Sequence, residues 1–403
     1  MLRRISLRHA RPSVAAGLFA ASVLGWVALI ASDPARYWRQ TDAIVYRDAG
    51  AAVWHGHQLY PVLFGPFHLP FTYPPFPALV FAPFSGLPFG AWQMGLAVVS
   101  LGCLLIAAHA AVRAAGGTSS TGAYVVAAVG LWLEPVIMTL HFGQLNLLLL
   151  ALVLVDLSCH QGRWRGVGVG LAAGIKLTPL IFIPYLWFTG RRRAAAVAVG
   201  TFLATFLIGL SVLPHDAARY WWRQVVEPGD GPQRLVNQSL RGALLRVAHR
   251  ESGDIVLWLS LAIAVGIVGL TAAVLATRRG LPLLGICLCA TTGLLVSPVS
   301  WSHHWVYVVP VLALVFDQRL GARARALSGS ALVVLFAWWP TSARGPSGLL
   351  RLAPHDSGRE LRWNALQLAY GDYYALAALG FVLAAAVLLA RPSSRWQVAV
   401  GVT

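Results

Sequence analysis

The chain has 403 residues, of which 58% are hydrophobic and only 11% charged. Soluble domains carry about 25% charged residues, so composition alone excludes a cytosolic enzyme. The formal charge is nonetheless +17, from 31 basic and 14 acidic side chains, and Lys176 is the single lysine among those bases. The arginines lie between apolar stretches of membrane-crossing length, which reads as a topology signal and not as a nucleic-acid surface. Cys103, Cys159, Cys287 and Cys289 sit in or beside apolar segments with no C-x-x-C spacing and no histidine at ligand spacing, so neither a disulfide framework nor a zinc site is expected.

Crossing a bilayer takes roughly 20 apolar residues. In chain order, segments 14–31, 91–113, 122–141, 144–158, 166–189, 194–213, 254–277, 281–297, 304–316, 326–340 and 369–390 reach or approach that length. This predicts an all-α polytopic membrane protein with about 10–12 transmembrane helices. The first segment follows Arg3, Arg4, Arg8 and Arg11 and has no clear small-x-small cleavage site, so it reads as a retained anchor. The positive-inside rule places both termini, the Arg191-Arg192-Arg193 run, Arg278-Arg279, the Arg319/Arg323/Arg325 group and the Arg391/Arg395 tail on the cytoplasmic side.

Those assignments agree only if 166–189 is a broken hairpin that enters and leaves on the cytoplasmic side. Gly174-Ile175-Lys176-Leu177-Thr178-Pro179 at its midpoint fits a discontinuous helix lining a polar cavity. The Pro-rich stretch 70–90 is too interrupted to span and is expected on the outer face. Three outer loops follow, 32–90, 214–253 and 341–368, the first of them long, and residues 1–403 read as one integral-membrane domain. With that topology 17 arginines oppose only Asp156 and Asp317 inside, while 14 bases meet 12 acids outside. The excess charge is therefore an orientation signal, and the near-neutral outer set is where chemistry is expected.

Polar clusters interrupt the apolar background in order. Asp42 and Asp48 are six residues apart, so on a helix they point to different faces and cannot work as a pair. In Phe71-Thr72-Tyr73-Pro74-Pro75 the prolines hold an extended backbone beside an amphipathic Tyr73. Glu134-Pro135 is a buried-acid candidate near a span end, open between a structural and a functional role. Gln144 and Asn146 follow Gly143 between two spans, where they cap, bond across helices or bind. Lys176 lies inside an apolar segment, where a charge is costly and functional by default, and an ammonium suits a phosphate as a point charge. Asn237-Gln238-Ser239, with Arg234, Arg241 and Arg246, makes a basic face that is either solvated or set against anionic head groups. His303 and His304 close the run Ser297-Pro298-Val299-Ser300-Trp301-Ser302; adjacent residues face apart on a helix, so hydrogen bonding suits them better than joint chelation. With no acidic D-x-D cluster, no metal site is expected.

The order D-x-x-V-Y-x-x-A-G, F-T-Y-P-P, G-Q-x-N, G-I-K-L-T-P, N-Q-S and S-P-x-S-W-x-H-H resembles the polyprenyl-phosphate-mannose-dependent α-1,2-mannosyltransferases of actinobacteria, glycosyltransferase family 87. It covers roughly residues 40–310. The resemblance implies the GT-C membrane fold, with a polyprenyl-phosphate sugar as donor substrate and no cofactor. It further implies a mannoside, glycolipid or lipoglycan acceptor and an active site on the outer face of the plasma membrane. By it, Asp42 is the catalytic base, ahead of Asp48 and Glu134 as secondary acids. A β-linked donor and α-linked product make the reaction inverting, which needs one base and positive charge or hydrogen-bond donors for the departing phosphate. Lys176, His303 and His304, with Gln144, Asn146, Tyr73, Asn237 and Arg241, are the expected donor-phosphate and substrate residues. Two other readings keep the same polar residues: arabinofuranosyl transfer from a polyprenyl phosphate, and a lipid or sugar transporter built on broken helices.

Overall fold

The computed structural model describes residues 12–118, 120–158, 162–224, 231–338 and 349–391. Arg3, Arg4, Arg8, Arg11, Cys159, Arg395 and the 341–348 part of the third outer loop lie outside the described residues. The chain opens with α1 (Pro12–Ser32), the short α2 (Pro34–Tyr37) and α3 (Thr41–Trp54). A two-residue hairpin, β1 (Leu63–Phe64) antiparallel to β2 (Leu69–Pro70), and α4 (Pro75–Phe81) follow. The bundle continues through α5 (Phe89–Ala114), α6 (Ser120–Gly130), α7 (Glu134–Phe142), α8 (Asn146–Ser158), α9 (Val167–Ile175), α10 (Phe182–Phe188) and α11 (Arg192–Val212). It is completed by α12 (Pro214–Arg219), α13 (Leu240–Val247), α14 (Ile255–Arg278), α15 (Pro282–Val296), α16 (Val308–Ala313), α17 (Ala322–Phe336), α18 (Ala365–Gly371) and α19 (Tyr373–Ala390).

Five of these, α1, α5, α11, α14 and α19, are long and apolar enough to cross a membrane by themselves. Their flanks show the solvent they are built for: α14 leaves Val256, Leu257, Ile263 and Ile267 exposed, a stripe that water would not tolerate and lipid does. The chain is therefore an all-α polytopic membrane protein. Three of the other expected segments, 122–141, 166–189 and 304–316, are divided into shorter helices, and the divisions fall beside polar residues. Segment 122–141 divides into α6 and α7 just before Glu134, with Pro135 at the start of α7, where its missing N–H costs nothing. Segment 304–316 begins as a 3₁₀ stretch, Ser302–Tyr307, that carries both histidines.

The arginine turns assigned to one side collect at one end of the bundle. Arg319 donates to Ala114 O after α5, Arg278 to Phe188 O after α10, and Arg279 to Arg391 O after α19. Arg319 also grips Asp317 through Nε and Nη2 at 2.6 and 2.8 Å.

Segment 166–189 enters and leaves at that same end. Gly166 lies against Ala194 in the first turn of α11, and Phe188 closes α10 a few residues before α11 begins. Between them α9 climbs along α11. A Cβ on Gly166 would stand 2.1 Å from Ala194 O, one on Gly170 2.5 Å from Ala198 O, and one on Gly174 2.2 Å from Thr205 Oγ1. Glycine at every fourth position is what lets two membrane helices touch backbone to backbone. Asp156, at the end of α8, secures the start of the hairpin by accepting the Gly166 and Val169 N–H groups at 2.9 and 3.0 Å.

The stretches expected as outer loops are folded segments. The 32–90 stretch supplies α2, α3, the β-hairpin and α4, whose Pro75, Pro77, Ala78 and Phe81 are buried. The 214–253 stretch supplies α12 and α13. Arg246, fully buried, pairs with Asp372 ahead of α19 and donates to the Gln233, Arg234 and Asn237 carbonyls. That pair ties the 214–253 stretch to α19.

Candidate active site

Asp42 owes its position to a clamp between two helix ends. Gln40 sits in the left-handed region at φ 52°, its N–H donating to His141 O at 2.9 Å and its Nε2 to Leu140 O at 2.6 Å. This fixes the start of α3 against the end of α7. Gly143 terminates α7 at φ 71°, where an added Cβ would lie 2.6 Å from both Ala43 Cβ and Gln40 Oε1. Only glycine permits that turn, and the turn swings Gln144 onto Asp42 and starts α8 at Asn146.

The result is a continuous polar cluster. Gln144 Nε2 donates to Asp42 Oδ1 at 2.6 Å, and Thr41 Oγ1 donates to Oδ2 at 3.1 Å. Gln144 Oε1 accepts from the Tyr73 and Tyr46 hydroxyls at 2.9 and 3.1 Å, and the two phenol oxygens are 2.8 Å apart. Over the Tyr73 ring, 5.5 Å from its centroid, stands Lys176 Nζ. Lys176 ends α9 in an extended conformation, and its ammonium lies 3.2 Å from Asn146 Oδ1 and 2.7 Å from His304 Nε2. With Lys176 charged, His304 accepts at Nε2 and carries its proton on Nδ1. Asn146 Nδ2 in turn donates to His303 O at 2.9 Å, so one side chain orients both the lysine and the histidine turn.

The two imidazoles are in edge-to-face contact, with centroids 4.8 Å apart and planes at 89°. His303 Nε2 and His304 Nδ1 are buried and have no hydrogen-bond partner among the described residues. Buried polar atoms left open in this way need a partner from solvent or from a bound molecule. A small cavity of about 30 Å³ adjoins His304, lined among others by Asn146, Lys176, Thr178 and Tyr307.

Burial pushes the Asp42 carboxyl up to about 6, against the Thr41 and Gln144 hydrogen bonds and the Lys176 charge, which all lower it. A carboxylate in that range is still ionised at neutral pH and is a stronger base than an exposed one.

Some expected residues are elsewhere. Asp48 faces outward on α3, 3.7 Å from Arg47, and lines an open groove of about 450 Å³ with His55, His57 and Gln58. Glu134 is buried and accepts from Ser302 Oγ at 2.9 Å and Tyr374 OH at 2.7 Å, which braces the histidine turn. Asn237 is not directed at the cluster: its Nδ2 donates to Pro232 O and Pro298 O, and its Oδ1 accepts from the N–H groups of Ser239 and Ser300. A side chain with four backbone partners is a strut for the 298–302 turn. Arg241 is drawn to the ring of Trp258 on α14, at 5.5 Å, and is also off the cluster. Tyr46, Thr41 and Gln40 belong to the cluster but were not singled out from sequence. Tyr46 was legible as part of the D-x-x-V-Y motif and through its spacing, four residues after Asp42 and so one helical turn along the same face.

A carboxylate and an ammonium share one polar cluster inside an all-α membrane bundle, an arrangement that suits a polytopic membrane enzyme. The sequence profile of Glycosyltransferase family 87 matches residues 71–298, and the chain belongs to that family. Among its relatives is a "Polyprenol-phosphate-mannose-dependent alpha-(1-2)-phosphatidylinositol pentamannoside mannosyltransferase" of Mycobacterium tuberculosis (strain CDC 1551 / Oshkosh), 36% identical over 76% of this chain and 74% of the relative. A "Polyprenol-phosphate-mannose-dependent alpha-(1-2)-phosphatidylinositol mannoside mannosyltransferase" of Mycobacterium tuberculosis (strain ATCC 25618 / H37Rv) is 32% identical over 96% of this chain and 93% of its own length. A pentamannoside mannosyltransferase of Mycolicibacterium smegmatis (strain ATCC 700084 / mc(2)155) is 37% identical, covering 70% of each chain. No solved structure matches the chain. The chain is thus a membrane glycosyltransferase, and the transporter reading does not stand.

Proposed function

We propose that this chain transfers mannose from polyprenyl-phosphate-mannose to a phosphatidylinositol mannoside or a related glycolipid, forming an α-1,2 linkage on the outer face of the plasma membrane. The acceptor hydroxyl oxygen attacks the anomeric carbon and gives its proton to Asp42. The bond from that carbon to the phosphate oxygen breaks on the opposite side, so configuration inverts, and the polyprenyl phosphate leaves as a dianion. Lys176, with the open nitrogens of His303 and His304, receives that developing charge. A phosphodiester leaves without protonation, so one carboxylate suffices for acid–base work.

The observation that carries the reading is the joining of Asp42 to Lys176 through Gln144 and Tyr73, a base and a cation at the two ends of one cluster. The printed names of the relatives support mannose over arabinose as the sugar and a phosphatidylinositol mannoside as the acceptor class. The gathering of Arg278, Arg279, Arg319 and Arg391 at one end supports cytoplasmic termini and an outward-facing site.

The test is Asp42→Asn in purified protein, given radiolabelled polyprenyl-phosphate-mannose or polyprenyl-phosphate-arabinose and a panel of mannoside acceptors. The wild type is expected to use the mannose donor, and the variant to lose turnover at least 10²-fold while remaining monodisperse. Retained turnover in Asp42→Asn sinks the base assignment.

A further inference from the structure

Gln144 is chemically two-faced. Its NH₂ can donate to a carboxylate, and its carbonyl can equally accept from a protonated carboxylic acid. A free amide beside Asp42 would therefore serve either protonation state simply by flipping. Here it is not free. Its Oε1 already accepts from Tyr73 OH at 2.9 Å and Tyr46 OH at 3.1 Å, and those phenols are themselves 2.8 Å apart. All three side chains are buried, so no water competes for these bonds.

Resting on the reading of Asp42 as the base, we propose that Tyr46 and Tyr73 are positioning residues that lock the Gln144 amide as a donor toward Asp42. The lock leaves Oδ2, which accepts from Thr41 Oγ1, as the edge that takes the acceptor proton. It also keeps Gln144 from stabilising protonated Asp42, so the proton is released after each turnover and the base is restored. Neither phenol touches the reacting atoms in this scheme.

Replacing both phenols by Phe keeps the packing, because Tyr46 stacks on Phe81 at 5.3 Å and meets Tyr73 edge-on at 5.4 Å through its ring. It removes only the two donors that hold Oε1. The charged and titratable groups facing Asp42 are otherwise Lys176 of the hairpin and the two phenols themselves; His303 and His304 stand behind Lys176. Lys176 is untouched by the substitution, so a change in the acid limb of the pH profile reports on the amide.

The experiment measures kcat/KM between about pH 5 and 8 for the full chain in nanodiscs, with polyprenyl-phosphate-mannose as donor. Each single variant, Tyr46→Phe or Tyr73→Phe, leaves one phenol on Oε1 and is expected to keep the wild-type limb. The double variant is expected to move the limb to higher pH by about half to one unit, a further threefold to tenfold loss of activity below the limb. Gln144→Leu is expected to move it in the same direction. A double variant that is slower by the same factor at every pH has lost only structure, and that result overturns the proposal. If the double variant is not recovered folded, Gln144→Leu decides, since an unmoved limb there removes the basis of the lock. Turnover surviving in Asp42→Asn would instead mark failure of the underlying base assignment.

Discussion

Replacing Lys176 by Gln tests the donor half of the site with two independent readouts. The ammonium is the only lysine of the chain, held at 2.7 Å from His304 and 3.2 Å from Asn146, and the leaving phosphate must gain a full negative charge as the glycosidic bond breaks. At about 4 Å and an effective dielectric near 20, one unit of charge is worth about 4 kcal/mol. With the charge about half developed in the transition state, roughly 2 kcal/mol is lost from the chemical step, or about 30-fold in kcat. Losing a charge-assisted hydrogen bond to the bound phosphate costs about 1.5–3 kcal/mol more, felt mainly in KM. The expected fall in kcat/KM is therefore about a thousandfold. The second readout concerns the base. Lys176 lowers the Asp42 carboxyl, so Gln at 176 lets it rise above its value of about 6. Activity needs the deprotonated base, hence the acid limb must shift to higher pH in this variant. Steady-state assays across pH with the purified protein check both. A kcat/KM within tenfold of wild type together with an unmoved limb would refute the placement of the donor phosphate on Lys176. Lys176→Arg restores the charge but not the compact fit between Asn146 and His304, and is expected to recover only part of the loss.

Two further substitutions probe the scaffold. Gly174→Ala puts a methyl 2.2 Å from Thr205 Oγ1 and 2.7 Å from its Cβ, and is expected to destabilise the hairpin by about 1–3 kcal/mol. Gly200→Ala, with nothing within 4 Å on the same α11, is expected to change little, and thermal unfolding followed by size exclusion in detergent compares the two. Asp372→Asn leaves the buried Arg246 guanidinium without its carboxylate, a loss of about 3–5 kcal/mol expected to appear as low recovery and a lowered unfolding temperature. A variant as stable as wild type would show that the carbonyls of Gln233, Arg234 and Asn237 alone can hold that arginine.

Much of the candidate cluster was legible because a charge inside an apolar segment is costly and stands out. That logic finds Lys176 directly, and the i, i+6 offset separates Asp42 from Asp48 before any coordinates are known. The broken hairpin was also legible, since arginines at both of its ends allow no single crossing. What sequence pattern left undecided was where Asn237 and Arg241 are held. A polar residue next to a basic run looks the same whether its side chain meets a ligand or a backbone carbonyl, and only the partners of Asn237 distinguish the two. Glu134 is a similar case: its burial was expected, but its bonds to Ser302 and Tyr374, 168 and 240 residues distant, have no local signature. Neither does the glycine stripe at 166, 170 and 174 mean close contact until Ala194, Ala198 and Thr205 are found against it.

By itself the sequence determined the solvent and the class: apolar segments of bilayer length, arginines that orient them, and a short set of polar residues that a membrane would not carry without use. These follow from local hydropathy and from the cost of buried charge, which are properties of single residues and short windows. The tertiary structure decided which of the polar residues meet. Asp42, Gln144 and Lys176 come from three separate stretches of chain, and their meeting depends on the Gly143 turn, the Gln40 clamp and the return of the hairpin at Lys176. Such contacts are set by long-range packing, where a few tenths of an ångström at a glycine decide whether two helices touch.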